Sequence, residues 1–116
     1  MVEKPRQAVL LVANDEFGHG SSELGQILMR SFLKTVAGSE QKPAVAIFMN
    51  AGVRLTTEGS ELLDEIRALE DAGVRVLSCG TCLDYFHLKD NLKVGKITNM
   101  QDTVAALMAA DWVVRP

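Results

Sequence analysis

The sequence predicts an α/β fold: a three-layer α/β/α sandwich in which helices cover both faces of a mostly parallel five-stranded sheet. Two observations carry this expectation. Short apolar runs alternate with amphipathic stretches across polar or glycine-bearing loops, which is the punctuation of βα units. A strand returned to its sheet through a helix lies parallel to its predecessor. Composition agrees, because 47% of the residues are apolar and 23% charged, and a surplus of small aliphatics suits a sheet covered on both faces. With 116 residues the chain is expected to form one domain, residues 1–116. Such a domain buries roughly two-thirds of its unfolded surface without help from a metal or disulfide.

The elements follow in order. Gln7 to Ala13 is the first strand. "SELGQILMRSFLKTVA", Ser22 to Ala37, is the first helix, with Ser21 or Ser22 as N-cap, Glu23 in the first turn and Gly38 as the stop. Gly25 is expected to let this helix approach the sheet. Pro43 precedes the second strand, "AVAIFMN", where a missing N–H is tolerated. In "EGSELLDEIRALEDAG" Leu62, Leu63, Ile66 and Leu69 share one helical face, and Gly73 closes the helix. Val74 to Ser78 is the third strand and "KVGKIT" the fourth. Asn99 caps a last helix carrying Val104, Leu107 and Met108 on one side, and Trp112 to Val114 forms a final edge strand. No repeat, low-complexity stretch or long linker interrupts the pattern.

Charge and hydropathy narrow the function. A formal net charge of −3 argues against nucleic-acid or membrane-surface binding. The early apolar run "AVLLVA" is too short for a signal sequence or a transmembrane span. A cytoplasmic protein is expected. In that reducing compartment the two cysteines of the chain, Cys79 and Cys82, are more often reactive or metal-binding than a structural bridge.

In a parallel α/β sheet, ligands bind beyond the carboxyl ends of the strands, where the βα loops gather. This topology would bring Asp15, His19, Asn50, Arg54, Cys79, Cys82 and Asn99 to one face. With the third strand ending near Ser78 and a helix starting near Thr81, Cys79 lies in the turn and Cys82 in the first helical turn. Unpaired N–H groups and the helix dipole there would lower a thiol pKa. Cys79 is expected to be the open thiol and to react first, and Cys82 to face the sheet and be shielded. The pair is read as catalytic. Asp15, His19, Asn50, Arg54 and Asn99 are candidate substrate contacts, of which Asn50, Arg54 and the loop N–H groups suit an anionic sulfur species.

Rival chemistries fit less well. A zinc site would have to recruit His19 and His87, which form no second close pair, so no metal is expected. "FGHGSSELG" departs from the dinucleotide fingerprint, because Glu23 stands where its third glycine belongs, so no cofactor is expected. A thioredoxin-like role lacks a proline placed to pack beside the cysteines. A C-x-x-C thiol–disulfide oxidoreductase and a non-catalytic homo-oligomeric subunit remain as alternatives.

At "LLVANDEFGHGSSELGQILM", "IFMNAGVRLTTEGSELL" and "VLSCGTCLDYFHLKDNLKVGKITNM" the chain resembles the DsrE/DsrF-like sulfur-relay family, most of all the C-terminal domain of the YedF-type proteins linked to selenium metabolism. The resemblance implies a parallel five-stranded α/β/α domain, frequent homo-oligomers, and a cysteine after an inner strand that carries sulfur, or selenium, as a persulfide between donor and acceptor proteins. By position that cysteine corresponds to Cys79, with Cys82 as an additional thiol. Fuller YedF-type chains begin with a TusA-like domain. Here the sheet begins within a few residues of Met1, so either the chain acts without that domain or a partner supplies it.

Overall fold

The computed structural model describes residues 7–116; the first six residues of the expected domain lie outside that range. Five strands form one sheet: β1 Ala8–Val12, β2 Val45–Phe48, β3 Arg75–Cys79, β4 Lys96–Thr98 and β5 Trp112–Val114. Their spatial order is β4-β3-β2-β1-β5, and every pairing is parallel. The order places β1, β2 and β3 inside the sheet, which accounts for their near-continuous apolar character. The helices are α1 Ser22–Gly38, α2 Leu63–Asp71, α3 Gly80–Tyr85 and α4 Met100–Ala109.

Alternating side chains divide the core between the two faces of the sheet. Leu10, Val12, Ala46, Phe48 and Val76 pack with Met29 and Leu33 of α1 and Ile66 and Leu69 of α2. Val9, Val45 and Ile47 face the other way, towards Ala106 and Leu107 of α4 and Ala110 just beyond it. The second cluster is much smaller. The only residue of α4 that is fully buried is Thr103, so this face is thinly covered.

Helix ends match the sequence closely. Ser21 Oγ accepts a hydrogen bond from the Leu24 amide at 3.2 Å, and Asn99 Oδ1 accepts one from the Asp102 amide at 2.7 Å. Both satisfy N–H groups that a helix start leaves without partners.

Four expectations are corrected. Gly25 makes room for the 14–20 loop rather than the sheet: a Cβ there would stand 2.9 Å from Glu16 Cβ, and Phe17 N donates to Gly25 O at 3.0 Å. The stretch after β2 is a 3-10 turn, Asn50–Leu55, and not an open loop. In α4, Val104 and Met108 point to solvent while Thr103 and Leu107 face the sheet. Finally, β3 runs through Cys79 and α3 begins at Gly80, one residue away from the expected boundary in each case.

Candidate functional site

Because all five strands are parallel, the loops carrying Asp15, Arg54 and Cys79 lie at the carboxyl end of the sheet, as the βα pattern requires. Within that end the candidates separate into groups.

The cysteines form the first. Cys79 ends β3, pairs in register with Thr98 of β4 and caps α3 in an extended conformation. It is buried, with 4% exposure. Cys82, one turn into α3, is half-buried. Both thiols are free. This reverses the expected order of access. The cap residue still pairs with Thr98 of β4, whereas the first turn of α3 carries Cys82 out towards the turn after β2.

That turn supplies the partner. The Asn50 amide donates to Cys82 Sγ at 3.1 Å. Asn50 can aim its N–H this way because it adopts a left-handed conformation, φ 50°, which asparagine tolerates better than most residues. Gly52 then lets the turn close over the end of β1. A Cβ on Gly52 would lie 2.2 Å from the Val12 carbonyl oxygen, a distance no side chain can occupy. Met49 N bonds to that same oxygen at 3.0 Å, so β1, β2 and the turn are locked together.

Burial pushes the Cys82 thiol above the ordinary cysteine pKa. The Asn50 N–H pulls it down, while the hydrogen bond it shares with the Cys79 thiol and the charge of a Cys79 thiolate push it up again. The net direction is upward, opposite to the lowering expected from a helix start. In a helix of only six residues the dipole is weak, and the loss of water around the sulfur outweighs it.

Beneath the cysteines lies a buried pair that sequence reasoning missed. Ser78 and Thr56 are fully buried, and their hydroxyl oxygens stand 2.8 Å apart. Thr56 Oγ1 donates to Val53 O at 3.1 Å, which leaves the Ser78 hydroxyl to donate to Thr56. The bond ties the strand carrying Cys79 to the turn carrying Asn50. A lone serine inside the apolar run "VRVLSC" was the available signal, since a buried hydroxyl needs a partner.

Arg54 belongs to a neighbouring group. Its guanidinium lies 4.7 Å from the centre of the Phe86 ring and 4.0 Å from Asp15 Oδ2, an exposed pair worth little by itself. Arg54 and Asp15 border an open cavity of about 520 Å³ shared with Arg30, Leu55 and Glu61. Neither cysteine lines it. His19 sits on the exposed loop between Gly18 and Gly20, with no described contact to either group. Asn99 follows the strand residue that pairs with Cys79, but its side chain is engaged as the α4 cap. The structure therefore joins Asn50, Cys79 and Cys82, and separately Asp15 and Arg54. Among the described residues, no cluster of three or more His, Cys, Asp or Glu side chains could hold a metal, and no helix is long and apolar enough to cross a membrane.

The chain is thus a small α/β/α sandwich with a wholly parallel sheet and two free thiols where the third strand turns into a helix. The DsrE/DsrF-like family model matches residues 8–116, and the chain belongs to that family. Among solved structures, the ychN protein of E. coli superposes with a TM-score of 0.72 at 17% identity, over 95% of this chain and 99% of the other. The protein of unknown function MTH1491 from Methanobacterium thermoautotrophicum gives 0.71 at 19% identity, over 97% and 100%. At these identities the likeness is one of fold. Comparison with curated proteins gives no match.

Proposed function

We propose that the protein is a sulfur-relay carrier that holds sulfur as a persulfide on its C-x-x-C pair, receiving it from one protein and passing it to another. Membership of a family generally linked to sulfur relay supports the reading. The observation that carries it is the half-buried Cys82 sulfur with the Asn50 amide 3.1 Å away, at the end of the sheet where α/β proteins bind their ligands.

Cys82 is the accepting thiol, in place of the Cys79 first expected. Its thiolate attacks the outer sulfur of a donor persulfide, the donor's sulfur–sulfur bond breaks, and the donor leaves as a thiol. The Asn50 N–H then faces an anionic sulfur chain. Selenium could travel by the same bonds, in keeping with the likeness to the YedF-type domain. The protein acts in the cytoplasm, where free thiols persist.

A homo-oligomer belongs to the same proposal. Met100, Val104 and Met108 are all exposed along α4 on the thinly covered side of the sheet, and a second copy would cover them. If the cysteines were incidental, this apolar surface would remain the functional feature, that of an interaction subunit.

Intact mass after incubation with inorganic polysulfide and desalting tests the reading. One added sulfur is expected on the wild-type chain and none on Cys82→Ser. Loading of Cys82→Ser as readily as the wild type would move the acceptor role to Cys79. Absence of loading in every form would leave the interaction subunit.

A further inference from the structure

Cys79 presents a puzzle that the relay reading does not resolve. A partner protein cannot reach a thiol that is 4% exposed, on a residue paired in register with Thr98 of β4. Yet it touches the one thiol that a partner can reach. Cys79 is the N-cap of α3 and Cys82 lies three residues on in its first turn, so the two side chains face one another across that turn. The chain holds no other cysteine, and both members are free. Residues three apart on a helix are neighbours, about 5–6 Å between their Cβ atoms, close enough for the small adjustment that brings two cysteines to the Cα range of roughly 4.4–6.8 Å of a disulfide.

From this arrangement we infer that Cys79 is an internal resolving thiol, which discharges the loaded carrier by releasing its sulfur as hydrosulfide. The inference rests on the persulfide reading above. In the loaded state Cys82 bears an outer sulfur as the anion Cys82–S–S⁻. The Cys79 sulfur attacks the inner, Cys82 sulfur and a Cys79–Cys82 disulfide forms. The bond between the inner and outer sulfurs breaks, and its electron pair leaves with the outer sulfur. The Cys79 thiol proton goes to that sulfur, giving HS⁻. One negative charge stands on each side of the reaction. The Cys79 sulfur is oxidised, the outer sulfur is reduced, and no external oxidant is needed. A low-molecular-weight thiol or a dithiol protein then reduces the disulfide and restores the pair.

Burial fits this role. A resolving thiol needs to reach only its neighbour, and its seclusion keeps donors from loading it. The device gives the carrier two outlets: direct transfer when an acceptor thiol arrives at Cys82, and hydrosulfide when none does.

The test uses the full chain in two independent assays. In the first, wild type and Cys79→Ser are loaded with inorganic polysulfide, desalted, and followed by intact mass and by a hydrosulfide-trapping dye. Wild type should lose its added sulfur, end two hydrogens lighter than the starting dithiol and release one hydrosulfide per loaded chain. Cys79→Ser should keep the added sulfur and release none. Equal retention by both proteins overturns the resolving role and leaves the relay reading standing, whereas wild type and Cys79→Ser that both stay at their starting masses and release no hydrosulfide overturn both. The second assay equilibrates unmodified wild type with oxidised and reduced glutathione and needs no variant. An internal disulfide should form, and accumulation of a stable glutathione adduct on Cys82 overturns the inference, because Cys79 would then have failed to attack that sulfur.

Discussion

Cys82 is opposed by its own surroundings. Burial favours the neutral thiol, and the Asn50 N–H, with a smaller contribution from the Cys82 amide itself, recovers only part of what lost hydration removes. The rate of alkylation, which follows the thiolate, should therefore rise with a midpoint above the ordinary cysteine value of about 8.5. Iodoacetamide kinetics across alkaline pH on Cys79→Ser and wild type check this. A midpoint near neutrality would mean that the helix start dominates after all. The Cys79→Ser midpoint should lie below that of wild type, since substitution removes the thiolate charge that raises it. The same shift has a sign for stability. A thiol whose folded pKa is raised stabilises the fold fully below its unfolded pKa, and that contribution is lost as pH rises through the folded value.

At the scale of elements, the site depends on one turn and one helix end. Gly52 is irreplaceable because the obstacle is backbone: a Cβ would meet the Val12 carbonyl oxygen at 2.2 Å and its carbon at 3.1 Å, and no rotamer relieves that. Gly52→Ala should cost about 3 kcal/mol, the upper range for overpacking. It should appear as a lower urea midpoint at unchanged slope, together with loss of the Asn50 contact to Cys82. The other end of α3 offers the opposite case. The His87 amide donates to Asp84 O at 3.1 Å and the Leu88 amide to Leu83 O at 2.8 Å, the paired bonds that close a helix through a left-handed residue, here His87 at φ 58°. A histidine there accepts strain that glycine avoids. His87→Gly should raise stability by about 0.5–1 kcal/mol, a gain of about 2–4 °C in the melting midpoint. Unchanged or lower stability would mean that the ring makes a compensating contact.

For the whole molecule, the order of strands and helices was written plainly in the sequence, because apolar runs and caps are local signals. Ser21, Gly38, Gly73 and Asn99 mark real boundaries. What escaped was non-local. The 3-10 turn at Asn50 follows from a close approach to β1, which no pattern within "NAGVRL" announces. The burial of Cys79 comes from β4, which pairs alongside it, and that reversed the order of access. Spacing puts Val104, Leu107 and Met108 on one side of the last helix, yet only Leu107 packs against the core, because spacing identifies a face without saying what covers it. That difference bears on assembly. Met108 is 83% exposed, Met100 60% and Val104 46%, spaced four residues apart along one stripe of α4. Apolar surface gathered in this way marks an interaction site more often than chance exposure, and a closed ring or dimer of identical copies is the commonest way to cover it. Light scattering at micromolar concentration should give a mass at least twice that of the 12.6 kDa chain. Val104→Glu with Met108→Glu should return it to the monomer without altering its circular dichroism, because neither side chain belongs to the core. A monomeric wild type would assign the patch to a different protein, and a variant that remains assembled would place the interface on another face, such as the exposed Leu24, Ile27 and Leu28 of α1.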